Sequence, residues 1–279
     1  MREFIRLAVL FSLLGISFVV GGVLMSVMGL ATPEINDKQT ATLAAGSNAL
    51  LLMLGFGGAS LSYWLLYARE EGIELLRGLG GNFATYSLIA LFMGGLFLFL
   101  PWLGLDAESF RLPSSLHRWE ILLEAQEARI EALMRSLIQY GALPSLIIFM
   151  AVAPGIFEEL FFRGALQHQL GRIINPHGAV WISAIIFSLI HFQVYGFVPR
   201  ALLGAVMGYL TLWSGRLWPA IWAHFLNNAY ATLVAYLGMH VWNHPEWLES
   251  TYKPPMLLAL LGALIAGASG YAVYRRLHA

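Results

Sequence analysis

Cysteine is absent from the 279 residues, which excludes disulfides, thiolate nucleophiles and Cys-ligated metal centres and leaves the redox compartment open. Charge is scarce. Asp, Glu, Lys and Arg make up 11% of the chain, whereas soluble domains carry about 25%. The 16 basic and 16 acidic residues cancel, so nucleic acid has no electrostatic footing as a partner. No linker divides two domains and no internal repeat is evident. Against these absences stand 58% hydrophobic residues and a mean hydropathy of +0.69. A chain this poor in charge cannot cover a globular surface with polar groups, so lipid must be its solvent.

A span needs roughly 20 mostly apolar residues to cross the hydrocarbon core. Eight stretches approach this: residues 4–30, 43–67, 83–103, 143–162, 178–194, 198–213, 217–238 and 256–274. The first exceeds the roughly 7–15 apolar residues of a signal peptide and reads as an uncleaved span. Residues 69–77 read as a short charged connection. Pro101-Trp102 and, after the seventh span, Trp242, Trp247 and Tyr252 are candidate interface anchors. The expected fold is therefore all-α, a polytopic membrane bundle of about eight transmembrane helices plus one amphipathic helix. Within one integrated membrane domain, residues 1–103 hold the first three spans and 104–141 an amphipathic connection. Residues 142–240 carry the polar core, and 241–279 an interfacial loop with the last span.

The connection has apolar Trp119, Leu122, Leu123, Ile130, Leu133, Leu137 and Ile138 at helical spacing, behind Ser114/Ser115 as a candidate N-cap. This pattern predicts a helix on the membrane surface or over the bundle. Eight spans put both termini on one side. With that side cytoplasmic, nine of the 16 basic residues lie inside, among them Arg2, Arg6, Arg77, Arg216, Arg275 and Arg276. A multi-pass protein of a prokaryotic cell membrane, both termini cytoplasmic, is the expectation.

Few strongly polar side chains fall within the spans: Glu158, Glu159 and Arg163 in the fourth, His191 in the fifth, and His224, Asn227 and Asn228 in the seventh. Desolvated charge is costly to hold, so ionisable groups there mark a functional site by default. Glu159 and Arg163 are four apart and share a helix face. Glu158 is turned about 100° away and is free to point elsewhere. His224 and Asn228 are also four apart and project together. The bland reading of each is structural: an i,i+4 ion pair, a histidine bonded to a neighbouring carbonyl, an asparagine holding two helices together.

Together they permit chemistry. Glu158 and His191 can hold one water and remove its proton, and His224 and Asn228 supply donors for a tetrahedral oxyanion. A metal alternative uses Glu158, His191 and His224 as zinc ligands. No His-Glu-x-x-His occurs, so that set would be assembled across helices, and the metal-free, cofactor-free reading is preferred. Non-enzymatic alternatives are a membrane scaffold or immunity factor and a proton-coupled transporter. The transporter lacks the matching broken spans of an inverted repeat.

Glu158-Glu159-Leu160-Phe161-Phe162-Arg163, then Phe187 to His191, then His224 to Asn228 resemble the motifs Glu-Glu-x-x-x-Arg, Phe-x-x-x-His and His-x-x-x-Asn of the CAAX prenyl protease and bacteriocin-processing (CPBP, Abi) family of membrane-embedded glutamate proteases. The resemblance spans about residues 143–238. It implies an intramembrane glutamate endopeptidase without a cofactor, acting on a membrane-associated protein or peptide. Glu158 would be the water-activating base beside His191, His224 and Asn228 the oxyanion site, and Glu159, Arg163 and Phe187 their support. Glu158 and His224 are expected nearer the inner ends of their helices, which favours access from the cytoplasmic side.

Overall fold

The computed structural model describes residues 1–28, 30, 34–104, 115, 117–244 and 253–278, and among them there is no strand. The helices are α1 (Arg2–Val27), α2 (Lys38–Leu76), α3 (Phe83–Leu103), α4 (His117–Tyr140), α5 (Leu143–Gly171), α6 (Pro176–Leu189), α7 (Phe197–Ser214), α8 (Trp218–Leu237) and α9 (Met256–Leu277). They form an integral membrane helical bundle. Local chemistry sets many of the starts. The Asp37 side chain accepts from the Thr40 amide at 2.8 Å and Asn82 from that of Thr85 at 3.1 Å. Asn175 accepts from Gly178, and proline stands in the first turn of α5, α6 and α8.

Among the described residues five helices, α1, α2, α3, α5 and α9, are long and apolar enough to cross a membrane. The expected count of eight is not reached by that measure, for a physical reason. α6 has 14 residues, a rise of about 21 Å against a core of about 30 Å, and α7 and α8 carry the polar side chains described below. α2 also runs through the charged segment predicted as a connection and ends at Leu76. The fifth span was expected to reach Val194. Instead α6 stops at Leu189, and Phe192 takes the left-handed conformation at φ 52°, a backbone region costly for a bulky residue. The Ser188 hydroxyl donates to the Phe197 carbonyl at 2.8 Å and ties the loop back to α7.

Contacts between helix ends define two faces. On the face bearing the termini, Gln169 donates to the Glu3 carbonyl at 2.8 Å, the Leu217 amide to that of Leu75 at 2.9 Å, and Trp213 stacks edge-on against Tyr274. On the opposite face, the Trp102 indole donates to the Pro254 carbonyl and His240 to that of Ile138. Small residues allow close helix approach, as packing in lipid requires. A Cβ at Gly95 of α3 would stand 2.6 Å from the Gly262 carbonyl oxygen of α9, and one at Gly155 of α5 would stand 3.1 Å from the Phe225 amide of α8.

α4 lies over the bundle on the face away from the termini. It buries Leu137 and Ile138 together with Glu120 and Glu127, and it leaves Trp119, Leu122 and Leu133 exposed. Of its two candidate caps, Ser114 lies outside the described residues, as do Trp247 and Tyr252.

Candidate active site

The close contact of α5 with α8 brings the glutamate pair to His224. Glu159 is fully buried. Its Oε1 accepts from Arg163 Nη1 at 2.6 Å and from His224 Nδ1 at 2.7 Å. Arg163, itself buried, donates its second terminal nitrogen to the Gly204 carbonyl of α7 at 2.8 Å. Its guanidinium carbon stands 4.9 Å from the centre of the Phe187 ring. Phe187 also packs edge-on against His191 and His224, with ring centres 5.0 and 5.7 Å apart. Three helices are thereby fixed to one carboxylate, which stands just before the segment Leu160–Gln167 where α5 widens to i→i+5 turns, a deviation that recurs at functional sites.

Glu158 is placed differently. Among the described residues it forms no ion pair with an arginine, and it lines a cavity of about 670 Å³, with His224 Nε2 at 3.8 Å from its Oε2. His191, Asn227 and Asn228 line the same cavity. His191 Nδ1 lies 2.7 Å from the Phe187 carbonyl. A carbonyl only accepts, so Nδ1 carries the proton and Nε2 keeps its lone pair. By the same reasoning His224 Nδ1 is the protonated nitrogen facing Glu159. Asn227 donates to Asn228 Oδ1 at 3.2 Å, which leaves the Asn228 amide free to donate. All four residues predicted as catalytic are thus gathered; of the three predicted as supports, Glu159 and Arg163 stand behind them and Phe187 lines the cavity with them. The three residues of the zinc alternative, Glu158, His191 and His224, line this same cavity, although among the described residues no group of three or more His, Cys, Asp or Glu side chains is drawn together tightly enough to hold a metal ion.

Two positions differ from the sequence reading. His191 stands in the turn after α6 rather than within a helix. The cavity also lies in the half of the bundle away from the termini, lined by Pro101, Gly104, Tyr195 and, from α4, Ile130 and Met134. The expected access from the termini's side is therefore corrected. Glu158 sits near the middle of the 29-residue α5, and the bundle closes beneath it through Phe161, Phe162 and Leu166.

Sequence reasoning missed three polar residues of the cavity, Asn48, Gln193 and Arg200. Arg200 Nη2 donates to Gln193 Oε1 at 2.9 Å. The sequence reading does not single out Arg200, although it falls within the stretch 198–213 and follows Pro199 in the first turn of α7. A second cavity, of about 390 Å³, is walled by Leu14, Phe18, Leu51, Phe56 and Ile190 and meets the first at Asn48, Leu52, Glu158 and His191.

Comparison with known proteins falls on this region. Two Bacillus subtilis (strain 168) proteins are similar to the chain. The one named "Uncharacterized protein YpbD" is 28% identical over 112 residues, 38% of this chain and 55% of that protein. The one named "Putative membrane peptidase YdiL" is 27% identical over 93 residues, 33% of this chain and 38% of that protein. The chain thus covers about half or less of the curated relatives it matches. No solved structure matches it. Residues 141–230, which carry all three motifs, match the model of the type II CAAX prenyl endopeptidase Rce1-like family, and the resemblance read from those motifs stands.

Proposed function

We propose that this protein is a membrane-embedded endopeptidase in which Glu158 activates water to hydrolyse a peptide bond of a membrane-associated protein or peptide. The observation that carries the reading is the division of labour between adjacent carboxylates. Glu159 is engaged by Arg163 and His224, while Glu158 borders the cavity beside His191 and His224. The match of residues 141–230 to the Rce1-like endopeptidase family supports the same reaction class.

The chemistry follows from charge and proton balance. His224 faces Glu159 through Nδ1 and turns Nε2 toward Glu158 and the cavity, where it serves with the Asn228 amide as a donor. A water held between Glu158 and the lone pair of His191 Nε2 attacks the carbonyl carbon, and its proton passes to Glu158. His224 and Asn228 donate to the oxyanion. Collapse breaks the carbon–nitrogen bond, and the proton held by Glu158 goes to the leaving amine. A membrane-associated substrate suits the setting, since the reacting groups lie between a partly polar cavity and an apolar one walled by α1 and α2.

The test is cleavage of a membrane-anchored peptide library by the purified protein and by Glu158→Gln, each with and without chelator. The expected result is cleavage by the wild type that survives chelation and is lost in the variant. Loss on chelation with recovery on zinc would replace this mechanism with a metal-dependent one.

A further inference from the structure

The face bearing the termini holds a concavity unrelated to the catalytic groups. Where the loop after α2, the turn between α7 and α8, and the end of α9 meet, they line an open concavity of about 650 Å³. Arg77, Arg216 and Arg276 line it, one from each of these three stretches, and no carboxylate does among the described residues. Asn82 and Ser214 add polar side chains, and Gly78 and Gly80 form part of the wall with φ of 68° and 67°. A Cβ at Gly80 would stand 2.9 Å from Arg216 Cβ, so only glycine lets the loop close against that arginine. The base is anchored by the Leu217 amide donating to Leu75 and the Trp218 indole donating to Leu76.

Charge at this site is unbalanced. Glu74 pairs with both Arg77, at 3.3 Å, and Arg216, at 2.8 Å. One carboxylate thus answers two guanidiniums, and no ion pair engages Arg276 among the described residues. Converging like charges repel unless an anion joins them, and a guanidinium fork matches phosphate oxygens. Beside the cavity, Trp213, Tyr274 and His278 form an aromatic cluster, with ring centres 5.2 Å apart for Trp213–Tyr274 and 4.2 Å for Tyr274–His278. Trp and Tyr concentrate at headgroup level. Above them α9 exposes Leu257, Leu260, Leu264 and Tyr271, an apolar stripe along which acyl chains can run.

We propose that this cavity binds the phosphate headgroup of an anionic membrane lipid. Basic pockets between transmembrane helices recognise such headgroups. The aromatic cluster and the apolar stripe favour a lipid over free phosphate as the source. Two of the three arginines lie outside the segment matched by the family model, so the site is a property of this chain rather than of the catalytic core.

The test uses the full chain in nanodiscs of phosphatidylcholine with one-fifth phosphatidylglycerol, counting retained lipid by native mass spectrometry. The expected result is enrichment of phosphatidylglycerol on the wild type. Arg276→Gln, which removes an exposed and unpaired cation, should weaken it about fivefold, the equivalent of one basic residue near the surface. Arg77→Gln/Arg216→Gln/Arg276→Gln should abolish it. Arg275→Gln, whose side chain does not line the cavity, should leave it unchanged. Equal loss with Arg275→Gln, or no enrichment on the wild type, would overturn the proposal. Calorimetry with inorganic phosphate on the detergent-solubilised protein separates the sources: saturable phosphate binding without lipid enrichment would overturn the assignment to a lipid.

Discussion

Carboxylates on the termini's face and in the middle of the bundle answer to different solvents. On the termini's face, Glu71 is bonded to Arg172 and to His168, the latter at 2.9 Å, with side chains between a quarter and a half exposed. Such pairs form, break and reform in water at little cost. In the middle of the bundle, Glu159 has no solvent to fall back on and is held by Arg163 and His224. Glu158, one residue away, has no arginine paired directly with it among the described residues and borders a cavity. What distinguishes the regions is the price of leaving a group unpaired, and an interior carboxylate without a fixed counterion is where chemistry is expected.

That contrast can be broken by mutation. Removing the guanidinium in Arg163→Ala strands a fully buried carboxylate and the Gly204 carbonyl. It should cost about 3–5 kcal/mol, read as unfolding in detergent, and cleavage should fall with it. A variant that keeps its stability would mean that water reaches Glu159. Asn228→Ala should lower the turnover number about 10²-fold, the value of one oxyanion donor, while leaving the melting temperature in place. A comparable fall in melting temperature would recast Asn228 as glue between helices. On the outer face, Glu71→Gln should shift stability by less than about 1 kcal/mol because water screens the pair. An effect as large as that of Arg163→Ala would erase the distinction between the regions.

How much of this was legible in the sequence depended on whether it was local. The i,i+4 pairing of Glu159 with Arg163 and the turning away of Glu158 follow from one helix and needed no tertiary information. The tie of Glu159 to His224 did, because it depends on α5 meeting α8 at Gly155 and Phe225. The predicted helix through His191 failed because an apolar run does not announce its end, and here the end is set by Phe192 in a left-handed conformation. The side of access was misread for a related reason. Counting spans locates helix ends, whereas the cavity is bounded by α4 and by the loop from Gln193 to Gly196. Arg200 escaped notice because it stands at the edge of the stretch 198–213, where a charge reads as the flank of a span, and only the fold shows that it lines the cavity.

The most direct measurement compares Glu158→Gln with Glu159→Gln in one membrane-anchored peptide assay, with melting temperature recorded alongside. If the neighbours are divided as described, Glu158→Gln melts like the wild type and loses cleavage by about 10³-fold or more, whereas Glu159→Gln melts lower. Cleavage by Glu158→Gln at the wild-type rate would contradict the account.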